Sequence, residues 1–287
     1  MSIIFRHNHD NLYLIHHTRD EQPCNENFKI HSHEMNELLY IISGEGNFFV
    51  EGREYPITPN CIYIMKPGET HRMNISENMP YERISIHFSS SILSSIDSQE
   101  KLLDAFRNRD IGTLNCYTKD ILSSELVYTC LDNLSTNISK KQLEDTYNIR
   151  LILLSYLLPI LSEINSCFYT HYLKEDYIEE KNTIRLVIEY INNNLIEDLS
   201  LDTLSDIFFI SKSYLNTQFK ETTGTTIWNY IIIKRLAIAR AQIQNGISIK
   251  KAFTNSGFSD YSSFYRRYIS RFGVSPSEDK PEQQKSF

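Results

Sequence analysis

The chain has 287 residues, 41% of them hydrophobic and 23% charged, enough for two domains with separate cores and too apolar for a disordered polymer. Its five cysteines, Cys24, Cys61, Cys116, Cys130 and Cys167, are scattered without a CxxC pair, which excludes a disulfide or zinc framework and points to reduced thiols. Residues 5–10 are polar where a signal peptide needs an apolar core, and the longest apolar run, residues 151–161, is too short for a bilayer and contains Pro159, so a soluble cytoplasmic protein with no membrane partner is expected.

From residue 11 to 90 the pattern is one of short strands punctuated by turns. Strands fit 37–43, 47–51, 55–58, 61–65 and 83–88, with Gly44-Glu45-Gly46 and Gly52 between the early ones. Closely spaced strands of this kind predict a sandwich or barrel. His31-Ser32-His33, Glu37 and Gly44 then resemble the first cupin motif, and Lys66-Pro67-Gly68-Glu69-Thr70-His71 resembles part of the second. The resemblance implies a cupin-like jelly-roll barrel. In cupin enzymes the positions of His31, His33, Glu37 and His71 hold a divalent metal, and three imidazoles with one carboxylate suit iron, manganese or nickel. The second motif departs from that pattern: Ile75 stands where cupins commonly place Asn, with Asn74 one residue early. No cofactor or bound metal is expected, and the four residues are read as shaping the barrel. Together with Tyr40, Phe48 and Tyr63 they are the candidate lining of a small-molecule effector pocket, which needs apolar walls and a few polar groups.

The period turns helical between about residues 91 and 170. Ile121, Leu122, Leu126, Leu131 and Leu134 mark one amphipathic segment, and Ile149, Ile152, Leu153, Leu157 and Leu161 another, bent before Pro159. From their pattern alone, packing within the chain and pairing with a second copy both remain open. The polar stretch 171–182 reads as a linker, leaving 183–287 as a second domain.

That domain carries one pattern twice. Leu199-Ser200-Leu201, Leu204, Ser211, Leu215 and Gly224 recur as Ile247-Ser248-Ile249, Ala252, Ser259, Phe264 and Gly273, at an offset of 48 residues that becomes 49 late in the unit. Ser200 and Ser211 are N-cap residues with apolar pairs at staple spacing, and Ser259 or Asp260 caps the last helix. Two short helix pairs, about 200–222 and 248–271, joined by a helix over 226–244, predict a tandem helix-turn-helix reader. Residues 212–271 hold ten Lys and Arg against two acids, a local +8, while the remainder carries −15. A basic segment in an acidic chain is the footprint of a nucleic-acid surface. Lys212, Ser213, Asn216, Thr217 and Lys220 are left facing outward in the first unit, and Tyr261, Ser262, Tyr265, Arg266 and Arg267 in the second, with Arg271 nearer the backbone. On the connecting helix, Trp228, Ile231, Leu236 and Ile243 are the packing residues, while Lys234, Arg235 and Arg240 are phosphate candidates.

Ser248-Ile249, Ala252, Gly257-Phe258-Ser259-Asp260, Ser263-Phe264, Arg266, Tyr268 and Phe272-Gly273-Val274-Ser275-Pro276, with the earlier Leu204, Ser211, Tyr214-Leu215, Phe219-Lys220 and Gly224, resemble the AraC/XylS family of transcription regulators. The resemblance covers about residues 183 to 276 and places the groove-facing sites on Ser213, Asn216, Thr217, Tyr261, Ser262, Tyr265 and Arg266. Ser277-Glu278-Asp279-Lys280 departs from the aromatic-Arg pair usual after that proline.

The expected protein is therefore an α+β multidomain regulator: a cupin-like β-barrel with a helical segment, then an all-α tandem helix-turn-helix domain. The resemblance implies that it binds double-stranded DNA as a homodimer, answers a small molecule such as a sugar, and contacts RNA polymerase at promoters. No catalytic constellation is evident; the alternative is a metal-dependent cupin enzyme fused to a DNA-targeting module.

Overall fold

In the computed structural model the described residues are 2–9, 12–97, 99, 101–140, 146–172 and 183–280. The chain divides into two compact units, one of Met1–Lys29 and Met35–Glu179, the other of Ile30–Glu34 and Glu180–Phe287. The expected linker falls almost entirely on 173–182, outside the described residues.

The first unit contains β1 (Ser2–His9), β2 (Tyr13–Asp20), β3 (Asn36–Ser43), β4 (Gly46–Val50), β5 (Arg53–Ile57), β6 (Ile62–Met65), β7 (His71–Ile75), β8 (Tyr81–Phe88) and β9 (Cys116–Tyr117). Its helices are α1 (Asp104–Arg107), α2 (Glu125–Ser139) and α3 (Thr146–Cys167). Among the described residues the strands form an antiparallel sheet in the order β1-β2-β8-β3-β6-β9 and a second in the order β5-β4-β7. Strand alternation sends successive side chains to opposite faces of the larger sheet. Leu39, Ile41, Tyr63 and Met65 meet Phe48, Val50 and Ile57 of the smaller sheet, making the barrel interior. Leu38, Tyr40, Ile62, Ile64, Ile84 and Ile86 face the other way, onto Val127, Leu131, Leu134, Leu153, Leu157 and Ile164 of α2 and α3. The helical segment thus shares a core with the sheet.

Helix α3 with its extension, Tyr147–Thr170, is long and apolar enough to cross a membrane, longer than the sequence run implied. Its inner face is spent on the core: Ile149, Leu153, Leu157, Ile160, Leu161 and Ile164 are buried. Pro159 sits inside it without ending it.

A buried ion pair braces the barrel end. The Arg109 guanidinium grips Glu69 through two bonds of 2.7 Å, and the same carboxylate accepts from the backbone N–H of Gly112 and Lys66 and from Asn115 Nδ2. Burial opposes ionisation of Glu69, but the Arg109 charge and the hydrogen bonds from Arg109, Gly112 and Lys66 together outweigh it and hold the carboxyl below its ordinary range. Glu69, read from sequence only as part of a motif, is therefore a structural anchor.

The second unit is helical: α4 (Thr183–Asn193), α5 (Leu201–Phe208), α6 (Lys212–Thr223), α7 (Ile227–Gln244), α8 (Ile249–Asn255) and α9 (Tyr261–Phe272). Every helix from α5 onward starts on a side-chain cap: Ser200, Ser211, Thr226, Ser248 and Asp260 accept from the backbone N–H three residues on. Gly224 and Gly273 end α6 and α9 in the left-handed conformation, at φ 80° and 74°. Two cores lie along α7. Ile227, Tyr230 and Ile231 join Leu204, Leu215 and Phe219, whereas Ile232, Leu236, Ala239 and Ile243 join Ala252, Phe258, Phe264 and Tyr268. Serving two cores makes α7 buried nearly all round, as expected for a helix apolar on every face.

The departure after Pro276 opens a short turn of its own. Ser275 N–H donates to Glu278 Oε2 at 2.7 Å, while Glu278 N–H donates to Ser275 Oγ at 3.3 Å, a capping box. Asp279 then ties the end of the domain down, accepting from Tyr268 Oη and from Arg240 Nε, both at 2.7 Å.

Candidate nucleic-acid interface and sensing interior

The two helix pairs present their second helices, α6 and α9, with one face in the core and the other in solvent. On α6, Leu215 and Phe219 are buried and Lys212, Ser213, Asn216, Thr217 and Lys220 are exposed. On α9, Phe264 and Tyr268 are buried and Tyr261, Ser262, Tyr265, Arg266 and Arg271 are exposed, with Arg267 half-buried. These are the polar and cationic groups that reach phosphates and base edges when such a helix enters the major groove. Lys212 is not wholly available, because its ammonium pairs with Asp202. Arg266 keeps only a long bond from Nε to Ser262 O, 3.3 Å, within its own helix. At about 1.5 Å per residue the 18 residues of α7 span roughly 27 Å, compatible with two readers about one DNA turn, roughly 34 Å, apart.

Three expectations for α7 are corrected. Lys234 and Arg235 are buried, not turned to phosphate. Arg235 spends its guanidinium on the Leu195 and Glu197 carbonyls, at 2.8 and 2.7 Å, and burial lowers its pKa. Arg240 is held by Asp279 and, at 3.5 Å, by Glu34. Trp228, expected in the core, is 53% exposed, because Tyr230 and Ile231 fill the space against α5 and α6.

The sensing candidates separate by strand parity. Glu37, Phe48, Tyr63 and His71 all belong to the barrel interior. The Phe48 ring lies 4.7 Å from that of Tyr63 and 5.7 Å from that of His71. Tyr40, one position off the parity of Glu37 and Leu39, faces the helical layer, packing on Tyr128 and donating to Asn60 Oδ1 at 2.9 Å. It is not brought to the others. His31 and His33, their rings 4.9 Å apart, lie on the short segment grouped with the second unit.

Inside the barrel the Glu37 carboxylate is a hub. It accepts from Ser85 Oγ at 2.9 Å, and its oxygens lie 3.3 Å from His71 Nε2 and 3.6 Å from His87 Nε2. His71 also bonds the Glu69 carbonyl through Nδ1 at 3.0 Å. Burial alone would lower the His71 pKa, but bonding to Glu37 overrides it and raises the value. Burial lowers His87, with Glu37 opposing, and lowers His16, stacked 6.0 Å from His87, to about 4. Imidazole and carboxylate donors of this set fit a divalent cation chemically. Glu37 and His71 would hold it, at the expense of the bonds they make to each other. Ser85, His87 and His16 were missed in the sequence. For Ser85 and His87 the signal was the alternation of Arg83, Ser85 and His87 with Ile84, Ile86 and Phe88.

With this geometry in hand, the comparisons with known proteins are specific. Residues 18–115 match the AraC-like ligand binding domain, and residues 204–280 match a helix-turn-helix domain. The chain is 30% identical over 109 residues to the XylDLEGF operon transcriptional activator 2 of Pseudomonas putida, covering 37% of this chain and 69% of that protein. It is 23% identical over 248 residues to the Msm operon regulatory protein of Streptococcus mutans, covering 86% of this chain and 84% of that one. It is 24% identical over 257 residues to the HTH-type transcriptional activator RhaS of Mannheimia succiniciproducens, covering 88% and 89%. With a ligand-binding domain model matched over residues 18–115 and a helix-turn-helix model over 204–280, the chain belongs to the AraC/XylS family of DNA-binding transcription regulators.

Proposed function

We propose that the protein is a promoter-specific regulator whose two readers engage adjacent turns of one duplex, and whose barrel binds a small polyhydroxylated effector such as a sugar. The observation that carries the DNA part is the pair of capped helices, α6 and α9, exposing polar and cationic faces within a segment of charge +8. The effector class rests on the barrel interior. Glu37, Ser85, His71 and His87 offer donors and acceptors for hydroxyls, and Phe48 and Tyr63 offer aromatic surface. Effector binding shifts the balance between arrangements of a dimer and so changes which half-sites are occupied together and how RNA polymerase is engaged. The face of α3 turned away from the core supports self-association: Tyr147 and Leu151 are exposed and Leu154 and Leu158 half-buried, in the 4-3-4 spacing of a paired-helix seam.

The test is selection of genomic fragments by the full-length protein at fixed salt. A shared motif with half-sites one helical turn apart is the expected result; fragments without a motif, lost uniformly as salt rises, would refute it. Within that assay Lys220→Ala should weaken binding to all sequences and flatten the salt dependence by about one unit of slope.

A further inference from the structure

The two readers come close together at Gly257. Gly257, in the turn before α9, has φ +80°, and a Cβ placed there would stand 2.5 Å from Leu195 O, 2.9 Å from Ile196 Cα and 3.0 Å from Arg235 Nε. Leu195 packs on the core of the first reader and Phe258, next to Gly257, belongs to the core of the second. The backbones of the two readers are thus in close contact, with the Arg235 guanidinium beside them. That guanidinium also donates to the Leu195 and Glu197 carbonyls, at 2.8 and 2.7 Å, from the middle of the helix common to both cores.

We infer that Arg235 is a positioning residue that fixes the rotation of the second reader against the first, and thereby the half-site spacing the protein accepts. Helix α7 alone sets a distance between readers, but a single helix leaves each core free to rock about it. A planar guanidinium bonded to two carbonyls of the 195–197 loop, with the left-handed Gly257 turn closed against that same loop, removes this freedom. The two positions act together. Arg235 supplies two bonds that a lysine ammonium, as a point charge, does not reproduce, and Gly257 supplies the clearance for the close approach. Two linked modules bind far more tightly than either alone only when their geometry matches the two sites at once, an advantage of about 10²–10⁴. A loosened joint therefore lowers affinity at the best spacing and raises tolerance of the others.

The inference rests on the tandem reading proposed above, so the experiment separates the two. The full-length protein, Arg235→Met and Arg235→Lys are each offered duplexes carrying both selected half-sites at spacings from two base pairs shorter to two longer, and duplexes with one half-site. Thermal melts and near-ultraviolet circular dichroism check folding. The parent should prefer one spacing sharply. Arg235→Met should bind that spacing about tenfold more weakly, within the advantage that linkage confers. It should discriminate little among the others, and should keep its single-half-site affinity and its salt slope. Arg235→Lys should fall between the two, and it decides the matter if Arg235→Met does not fold. A variant that keeps the parent's sharp preference overturns the positioning role, and so does one that loses single-half-site affinity in the same proportion. A flattened salt slope would return Arg235 to the phosphate backbone. A parent with no preferred spacing would overturn the tandem reading and this inference with it.

Discussion

The two helix-turn-helix units share a backbone plan but not a surface. Both begin on a serine, Ser200 or Ser248, and both pack an aromatic of their second helix, Phe219 or Phe264, onto α7. Outside, α9 carries Arg266, Arg267 and Arg271 and no acidic residue, whereas α6 carries Lys212, tied to Asp202, and Lys220, close to Glu221. The second unit is therefore the strongly charged reader. The first offers Ser213, Asn216 and Thr217, groups suited to hydrogen bonding at base edges with little long-range pull. The scaffold is alike in the two units and the surfaces are not, so we propose a division of work on DNA: the second unit supplies most of the affinity for phosphate, and the first adds discrimination.

The largest effects should come from the scaffold, where the units are alike. Phe219→Ala and Phe264→Ala each empty a fully buried ring site and should each cost about 3–5 kcal/mol in chemical denaturation. Comparable losses would confirm equivalent cores. A loss of less than about 1 kcal/mol at either site would mean that its core collapses to fill the cavity, and the scaffolds would then not be equivalent.

On the surface the units should part. Arg266→Ala should cost about 1–3 kcal/mol at one base position and relax specificity there, measured as binding to a panel of single-base operator variants. Equal weakening on specific and random duplexes would reduce Arg266 to a phosphate contact. Asn216→Ala should alter the preferred base in the other half-site while leaving the salt slope unchanged, since it removes no charge. If that slope changed as much as for Lys220→Ala, the division of work between the two helices would be wrong.

Caps set a smaller scale. Ser211→Ala and Asp260→Ala should each lose about 1 kcal/mol of stability. Asp260 receives Ser263 N–H at 2.6 Å against 3.2 Å for Ser211 and Tyr214 N–H, so its loss should be the larger, read as the ordering of the two melting temperatures.

Much of this was legible in the residues because local chemistry repeats: capping serines, left-handed glycines and apolar spacing mark both units without reference to anything distant. The five strands read from sequence are present to within two or three residues. Strands β1, β2 and β7 were not singled out, and β9, two residues long, has no period to read. What was misread depends on partners remote in sequence. Lys234, Arg235 and Arg240 look like a basic stripe until a second core occupies the opposite side of α7 and Leu195, Glu197 and Asp279 arrive as acceptors. Tyr40 was grouped with Phe48 and Tyr63 by composition, and parity sends it to the other face of its strand. Arg109, forty residues from Glu69, carried no local mark of the ion pair it completes.

The smallest expected effect probes a place where the same backbone conformation is held by different residues. Phe209 ends α5 at φ 54° and ψ 40°, the left-handed conformation that Gly257 adopts at the matching point of the second unit, 48 residues on. Its ring is 94% exposed, so no burial offsets the conformational cost. Left-handed backbone costs a residue bearing a Cβ about 1–2 kcal/mol, and glycine's greater freedom in the unfolded chain takes back about 0.5–1 of it. Phe209→Gly should therefore stabilise the protein by about 0.5–1 kcal/mol, visible as a rise in melting temperature. Gly257→Ala, strained and pressed against Leu195 O, should do the reverse. If Phe209→Gly instead lowered stability, the ring would have to make contacts in solution that its exposure denies. If it raised stability and weakened promoter binding, the strained phenylalanine would be an element of recognition that the second unit, with its glycine, does without.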